Sequence, residues 1–181
     1  IEECKEIASN WLKELDLELK PSKTTITHSL NCVGEHKTPG FNFLGFHIRS
    51  YPMGKTHSGK VNGELLGFKT LIKPTKEKVK LHYVNIAAYI DQMKGAPQER
   101  IIKDLNPVII GWSNYYSSAS SSETFAKLDF MLFQKLFSWG RFRHPKKSGR
   151  WITRRYWITD TGQGWRFGDE KLTLAKHSNI K

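Results

Sequence analysis

The chain has 181 residues, of which 38% are hydrophobic, and a formal net charge of +12. This composition argues against intrinsic disorder and leaves room for one or two small domains. The sequence holds no apolar run near the roughly 20 residues of a membrane-spanning helix, and no signal-peptide pattern. The strong positive charge predicts an anionic partner.

The first part of the chain is predicted to contain one helix and several short strands. Apolar residues recur every three to four positions between Ile1 and Leu15, which is the spacing of an amphipathic helix. Because this pattern opens the sequence, we expect the chain to be a piece of a longer protein. Strands are predicted over residues 24–27, 41–48 and 67–72. Loops are predicted over residues 31–40 and 53–67, the latter as a flexible connector or a hairpin.

The predicted elements change at Pro74 from short strands to helices, and three helices are predicted after it. The first is expected to begin at a Thr75 cap, and the second at Gln98. The second is expected to break or kink at Pro107, because proline lacks the N–H that a helix interior needs. Gly111 costs roughly 1 kcal/mol relative to alanine in a helix, so close packing against a neighbour is expected there. The buried stripe of the first helix is predicted to be Val79, Tyr83, Ile86 and Ile90.

The third helix is expected to run from about Glu123 to Arg143 and to stop at Pro145. Ser120 and Glu123 have the spacing of a capping box. The main buried stripe is predicted to consist of Phe125, Leu128, Leu132, Leu136 and Trp139. Three further rings are expected to widen it, namely Phe130, Phe133 and Phe137. This helix should therefore be the most buried of the three.

An exposed turn is predicted over residues 146–149. Short strands are predicted over residues 151–157 and 165–174, around a turn at 161–164. Helices and antiparallel strands in separate parts of the chain predict an α+β fold. Cys4 and Cys32 are the only cysteines, and the seven histidines form no ligand-like pair on a helix. We therefore expect no metal ion and no other cofactor to be bound by these residues.

The most informative feature is a stretch of thirty residues, from Phe130 to Thr159, without an Asp or Glu. It holds eight Lys or Arg residues and eight aromatic residues. Cations attract phosphates and flat rings stack on bases, so this mixture predicts a nucleic-acid partner. The rings before Pro145 are expected to lie largely in the core, and the residues after it to contact phosphate.

Three segments carry a more specific signal. They are Leu71-Ile72-Lys73-Pro74-Thr75-Lys76-Glu77, the run LNPVIIGWSNYY at 105–116, and the stretch from FAKLD at 125–129 to RHPKK at 143–147. They resemble the maturase, or thumb, domain of group II intron-encoded reverse transcriptases. Upstream, LELKPSKT at 17–24 and FNFLGF at 41–46 resemble the last blocks of that family's polymerase palm. The resemblance covers nearly the whole chain in the family's order.

The resemblance implies three parts of a larger enzyme. They are the C-terminal part of a palm at 1–73, a three-helix thumb at 74–145, and the start of a basic DNA- and RNA-binding region at 146–181. Such proteins bind their own intron RNA, assist its splicing, and copy it into DNA at a target. The implied partners are therefore group II intron RNA, target DNA and a primer-template duplex, without a membrane. A homodimer through the parent protein is also allowed.

Nucleic-acid contacts are predicted for two sets of residues. The larger set follows the third helix and consists of Arg141, Arg143, His144, Lys146, Lys147, Arg150, Trp151, Arg154, Arg155 and Tyr156. The smaller set lies at the start of the first thumb helix and consists of Lys73, Lys76 and Lys80. The resemblance places the segment that supports the primer end at Phe43, Leu44, Gly45 and Phe46.

No residue of this chain is expected to be catalytic by itself. The family's paired metal-binding aspartates precede the first helix, so Mg²⁺ is implied for the missing polymerase site and for the intron RNA. Two other interpretations stay open: a free-standing RNA-binding splicing cofactor without polymerase activity, and a three-helix DNA-binding protein with a winged strand pair. The expected compartment is a bacterial cytoplasm or, alternatively, an organelle.

Overall fold

The computed structural model describes residues 1–32, 38–160 and 164–180. Within them the helices are α1 (Glu2–Lys13), α2 (Lys76–Gln92), α3 (Gln98–Ser117), α4 (Ser122–Arg143) and α5 (Gly149–Tyr156). The strands are β1 (Phe41–Phe43), β2 (Phe46–Pro52), β3 (Lys60–Val61), β4 (Glu64–Leu65), β5 (Phe68–Pro74), β6 (Trp157–Asp160) and β7 (Gly164–Phe167). The mixture confirms the α+β class. None of the described helices is long and apolar enough to cross a membrane.

The chain forms two compact units. The first comprises Ile1–Phe41 and Ile48–Thr70, and the second comprises Asn42–His47 and Leu71–Lys181. The described strands form three sheets, with the orders β1-β2-β5, β3-β4 and β6-β7. Two predicted turns fall partly outside the described residues, at 33–37 and at 161–163.

The first unit confirms the predicted first helix and the predicted hairpin. None of the residues of α1 is buried. β3 and β4 pair in antiparallel fashion, and their turn places Asn62 and Gly63 at φ 50° and 86°. Two successive residues with positive φ form a tight hairpin turn, and the twist of such a turn matches the twist of the two strands. The strand predicted at 24–27 is wrong, because that segment has no ladder partner. The Thr27 hydroxyl instead donates one hydrogen bond to the Gly40 carbonyl at 3.0 Å.

The second unit is organised around α2, α3 and α4. Their core residues are Ile86, Ile90, Ile101, Ile102, Leu105, Ile109, Leu132, Leu136 and Trp139, and the C-terminal segment adds Ile152, Tyr156, Trp157, Phe167 and Leu174. Thr75 caps α2 as predicted, since its side chain accepts from the Lys78 N–H at 3.4 Å. The predicted main stripe of α4 is buried throughout. Phe130, however, is 61% exposed and does not widen that stripe.

The predicted break of α3 at Pro107 is wrong, whereas the alternative, a kink there, stays a prediction. The helix continues through Pro107, and Asn106 does not cap a new helix. The Asn106 amide donates to the Thr173 carbonyl at 3.1 Å and accepts from the Ala175 N–H at 2.8 Å. Asn106 therefore fixes the C-terminal segment against α3.

Two local expectations in this region are also wrong. A Cβ added at Gly111 would meet nothing within 4 Å, so no neighbour packs closely there. The capping box at Ser120 and Glu123 does not form, because Ser121 takes the N-cap position. The Ser121 hydroxyl donates to the Tyr116 carbonyl at 2.7 Å and so joins the ends of α3 and α4.

The single strand predicted over 41–48 is two strands. Leu44 and Gly45 have φ values of 47° and 82° and turn the chain between β1 and β2. A neighbour approaches Gly45 closely, because a Cβ there would lie 2.7 Å from the Tyr116 hydroxyl oxygen. Both the conformation and the neighbour favour glycine at this position.

The strand predicted at 151–157 is wrong, because this segment forms helix α5. Ser148 caps it by accepting from the Trp151 N–H at 3.3 Å. Ile152 and Tyr156 are four residues apart and both are buried. The strand predicted at 165–174 is shorter in the structure: β7 ends at Phe167, and Gly168 then forms one isolated bridge with Thr173.

Candidate nucleic-acid interface

Close packing of α5 on α4 positions the basic residues that follow Pro145. A Cβ at Gly140 would lie 2.7 Å from Ile152 Cγ2, and a Cβ at Gly149 would lie 3.0 Å from Phe137 Cζ. Ile152 is fully buried. The two glycines therefore let α5 lie directly on α4, with its apolar side inward and its charged side in solvent. Sequence reasoning missed this contact, although Ile152 and Tyr156 have helical spacing.

Four cations occupy the outer side of this segment, and we call them the basic row. They are Lys147, Arg150, Arg154 and Arg155, and all four are exposed. Arg150 and Arg154 are four residues apart in α5, which brings them to one side of the helix, and Lys147 lies in the turn just before it. Among the described residues, no carboxylate forms an ion pair with any of the four. Uncompensated clustered charge of this kind attracts a polyanion.

Aromatic rings lie directly beneath the basic row. The Lys147 ammonium is 5.5 Å from the centre of the Trp151 ring, and the Arg155 guanidinium is 5.7 Å from that of Tyr156. Trp151 is half-buried, whereas Tyr156 is only 6% exposed. His144 supports both rings, by a 2.8 Å hydrogen bond to the Tyr156 hydroxyl and an edge contact with Trp151. Tyr156 has little surface left for a ligand, and Trp151 has more.

Three further predicted contact residues lie at the end of α4 and in the turn after it. Arg141 and Lys146 are exposed. Arg143 differs, because its guanidinium donates to the carbonyls of Lys94 at 3.1 Å and Ala96 at 2.8 Å. It also lies 4.9 Å over the Trp139 ring. Arg143 thus ties the end of α4 to the loop after α2.

The smaller predicted set lies at the start of α2. Lys76 and Lys80 are exposed and four residues apart, so they share one side of the helix. Lys73 lies 3.4 Å from Glu123, and this carboxylate offsets part of its charge. None of the hydrogen bonds or ion pairs of the described residues joins this set to the basic row.

The segment from Phe43 to Phe46 is held by the helices of its own unit. The Tyr115 hydroxyl donates to the Leu44 carbonyl at 2.7 Å, and the Thr75 N–H donates to the Gly45 carbonyl at 2.9 Å. Phe46 stacks on Tyr115 with ring centres 5.3 Å apart. Leu44 itself is 69% exposed. The turn therefore presents its side chains from a fixed backbone.

A buried polar network, which the sequence did not predict, fastens the C-terminal segment to α2 and α4. Asp129 accepts from the His177 ring at 2.7 Å, from the Ser178 hydroxyl at 2.7 Å, and from both backbone N–H groups. The two Nε2 atoms of His82 and His177 are 2.9 Å apart. A carboxylate only accepts, so His177 donates from Nδ1 to Asp129. His82 also stacks on Trp112 at 4.4 Å.

This network makes the stability of the fold depend on pH. Burial, together with the charge of His177, lowers the pKa of His82 from 6.5 to about 4. Burial alone would raise the pKa of Asp129, but hydrogen bonds from His177 and Ser178 outweigh it and lower that pKa overall. Both groups therefore bind protons more readily in the unfolded chain, and the folded state is stabilised as pH rises.

We expect the free energy of unfolding to fall as pH drops from about 6.5 to about 4. His82 contributes roughly 3 kcal/mol to this fall, since each pKa unit is worth about 1.4 kcal/mol. Denaturant titrations between pH 7 and pH 4 measure the effect, and His82→Gln should flatten the curve. A wild-type curve that is level over this range would contradict the buried, neutral state of His82.

The described residues offer no group of three or more His, Cys, Asp or Glu side chains placed to hold a metal ion.

A family model, the group II intron maturase-specific domain, matches residues 79–157. The match runs from within α2 to the first residue of β6 and so includes the helical core and the basic row. Residues 79–157 are therefore similar to the maturase-specific domain of group II introns.

The chain is also similar to the ribosomal operon-associated A protein of Euglena longa, with 25% identity over 134 residues. This similarity covers 74% of the chain and 26% of that relative. The chain thus spans about a quarter of the length of this curated protein.

Proposed function

We propose that this chain is the part of a group II intron maturase that binds intron RNA. In this proposal the basic row and the exposed turn before it hold the phosphate backbone. The observation that carries the proposal is the set of four exposed cations that no described carboxylate neutralises. They lie inside the matched maturase domain.

The mode of recognition follows from the shape of RNA. A-form RNA hides its major-groove base edges, so a protein reads its shape, its 2′-hydroxyls and its splayed bases. Cations on a short helix suit phosphate contacts, and the half-buried Trp151 beside Lys147 would offer the exposed part of its ring to an unpaired base. Lys73, Lys76 and Lys80 would add further phosphate contacts at the start of α2.

For the parent protein we propose a reverse transcriptase whose primer-template duplex is gripped by this region. The turn at Phe43–Phe46 would support the primer end, and the tail after residue 146 would reach target DNA. Mg²⁺ would then serve the polymerase site outside this chain and the intron RNA. The resemblance of residues 17–24 and 41–46 to palm segments favours this candidate over a stand-alone splicing cofactor. A stand-alone splicing cofactor would keep the RNA-binding role without polymerase activity.

The test is the affinity of the protein for a group II intron RNA, measured by filter binding in the presence of excess tRNA. We expect the intron RNA to bind tightly and the tRNA to compete poorly, because folded shape contributes to recognition. Addition of the protein should also increase the rate of intron splicing at limiting Mg²⁺. Equal affinity for both RNAs, without any effect on splicing, would contradict the proposal.

A further inference from the structure

A cavity of about 550 Å³ lies in the second unit, and none of the residues of the basic row lines it. One wall is a face of α2 that carries Lys78 and Asn85, seven residues apart. A second wall is a face of α3 that carries Trp112 and Tyr115, and the Leu44–Gly45 turn closes a third side. The volume is in the range of small-ligand sites in proteins.

Tyr115 forms a rigid platform in this cavity. Phe46 stacks against the ring, with 25° between the planes, and the hydroxyl is fixed to the Leu44 carbonyl at 2.7 Å. The ring nevertheless stays 51% exposed. A ring held in this way loses little conformational freedom when a second flat group stacks on it, which favours binding.

Two polar side chains of the cavity match two different parts of a nucleotide, its phosphate and its base. Lys78 and Asn85 are exposed, and neither side chain has a hydrogen-bond partner among the described residues. None of the residues that line the cavity is acidic. The Lys78 ammonium matches a phosphate, and the Asn85 amide carries the donor and acceptor pair that a base edge requires.

We propose that this cavity receives a single unpaired nucleotide of the bound RNA. Its base would stack on Tyr115, its edge would bond to Asn85, and its phosphate would lie at Lys78. The inference rests on the proposed function and extends it. The basic row holds phosphates whether or not the bases are paired, and the cavity selects an RNA with a splayed base.

The test compares two RNA hairpins that differ by one unpaired nucleotide bulged from the stem. Fluorescence anisotropy should show that the wild-type protein binds the bulged hairpin roughly tenfold more tightly, as one stacked base allows. Equal affinities for the two hairpins would overturn this inference and leave the proposed function standing. Failure to bind either hairpin, by a protein that does bind group II intron RNA, would overturn this inference alone.

Variants of the cavity residues then test whether the preference for the bulged hairpin depends on the cavity. Tyr115→Ala should bring the ratio of the two affinities to about one, whereas Tyr115→Phe keeps the ring and its Phe46 stack and should keep most of the ratio. Asn85→Ala and Lys78→Gln, at exposed positions, should each lower it. A fluorescent 2-aminopurine at the bulge should be quenched by the wild type and not by Tyr115→Ala. A preference that survives Tyr115→Ala and Asn85→Ala would overturn the assignment.

Discussion

Replacing Lys147, Arg150 and Arg154 together by glutamine should weaken the binding of group II intron RNA by roughly 200-fold at about 0.1 M salt. The reason is counterion release, which contributes close to a factor of six per phosphate contact at that salt concentration. The slope of log affinity against log salt should also fall by about two to three, one step of 0.7–0.9 for each lost contact. Filter binding over a series of salt concentrations measures both quantities.

A matched control separates local contact from overall charge. Lys5→Gln, Lys13→Gln and Lys20→Gln remove the same charge from a part of the chain where Glu2, Glu3, Glu6, Glu14 and Glu18 are interspersed. We expect this control to lower RNA affinity far less than the variant of the basic row. If the two triple variants lose affinity and salt dependence equally, the basic row is not the contact surface.

The second large effect concerns stability. Asp129→Ala should lower the free energy of unfolding by about 3–5 kcal/mol, because it leaves the buried His177 ring and two backbone N–H groups without their acceptor. The C-terminal segment should lose its attachment to α4 at the same time. Denaturant titration measures the first effect, and protection of the amides of 173–180 from hydrogen exchange measures the second.

Asp91→Ala is the matched control for this change. Asp91 accepts a hydrogen bond from the Lys135 ammonium at 2.6 Å, but it lies on the surface. Exposed ion pairs contribute little, so its melting temperature should stay close to that of the wild type. Similar losses for Asp129→Ala and Asp91→Ala would show that the buried network does not stabilise the fold.

The long elements were predictable because their periodicity extends over several turns. Leu128, Leu132 and Leu136 mark one face of α4 clearly, and all three are buried. α5 was not predicted, because among its 8 residues only Ile152 and Tyr156 carry the helical spacing. A short segment gives too few repeats to distinguish the two periods.

The site residues could be predicted less well than the helices. Clustered charge predicted the basic row, but charge alone does not show that Arg143 is engaged by two backbone carbonyls. The bond between His82 and His177 joins residues 95 positions apart, and Asp129 lies 48 positions from His177. No local pattern signals such a pairing. The need for glycine at position 140 likewise depends on Ile152 of the following helix, which lies against it in the folded chain.

The central claim is that the segment from Lys146 to Arg155 lies on RNA, and cross-linking tests it most directly. The complex of the protein with group II intron RNA is irradiated, digested and analysed by mass spectrometry to locate nucleotide adducts. We expect adducts within this segment, at Trp151 above all, and their loss in the triple variant of the basic row. Adducts confined to other parts of the chain, with this segment unmodified in a tightly bound complex, would contradict the claim.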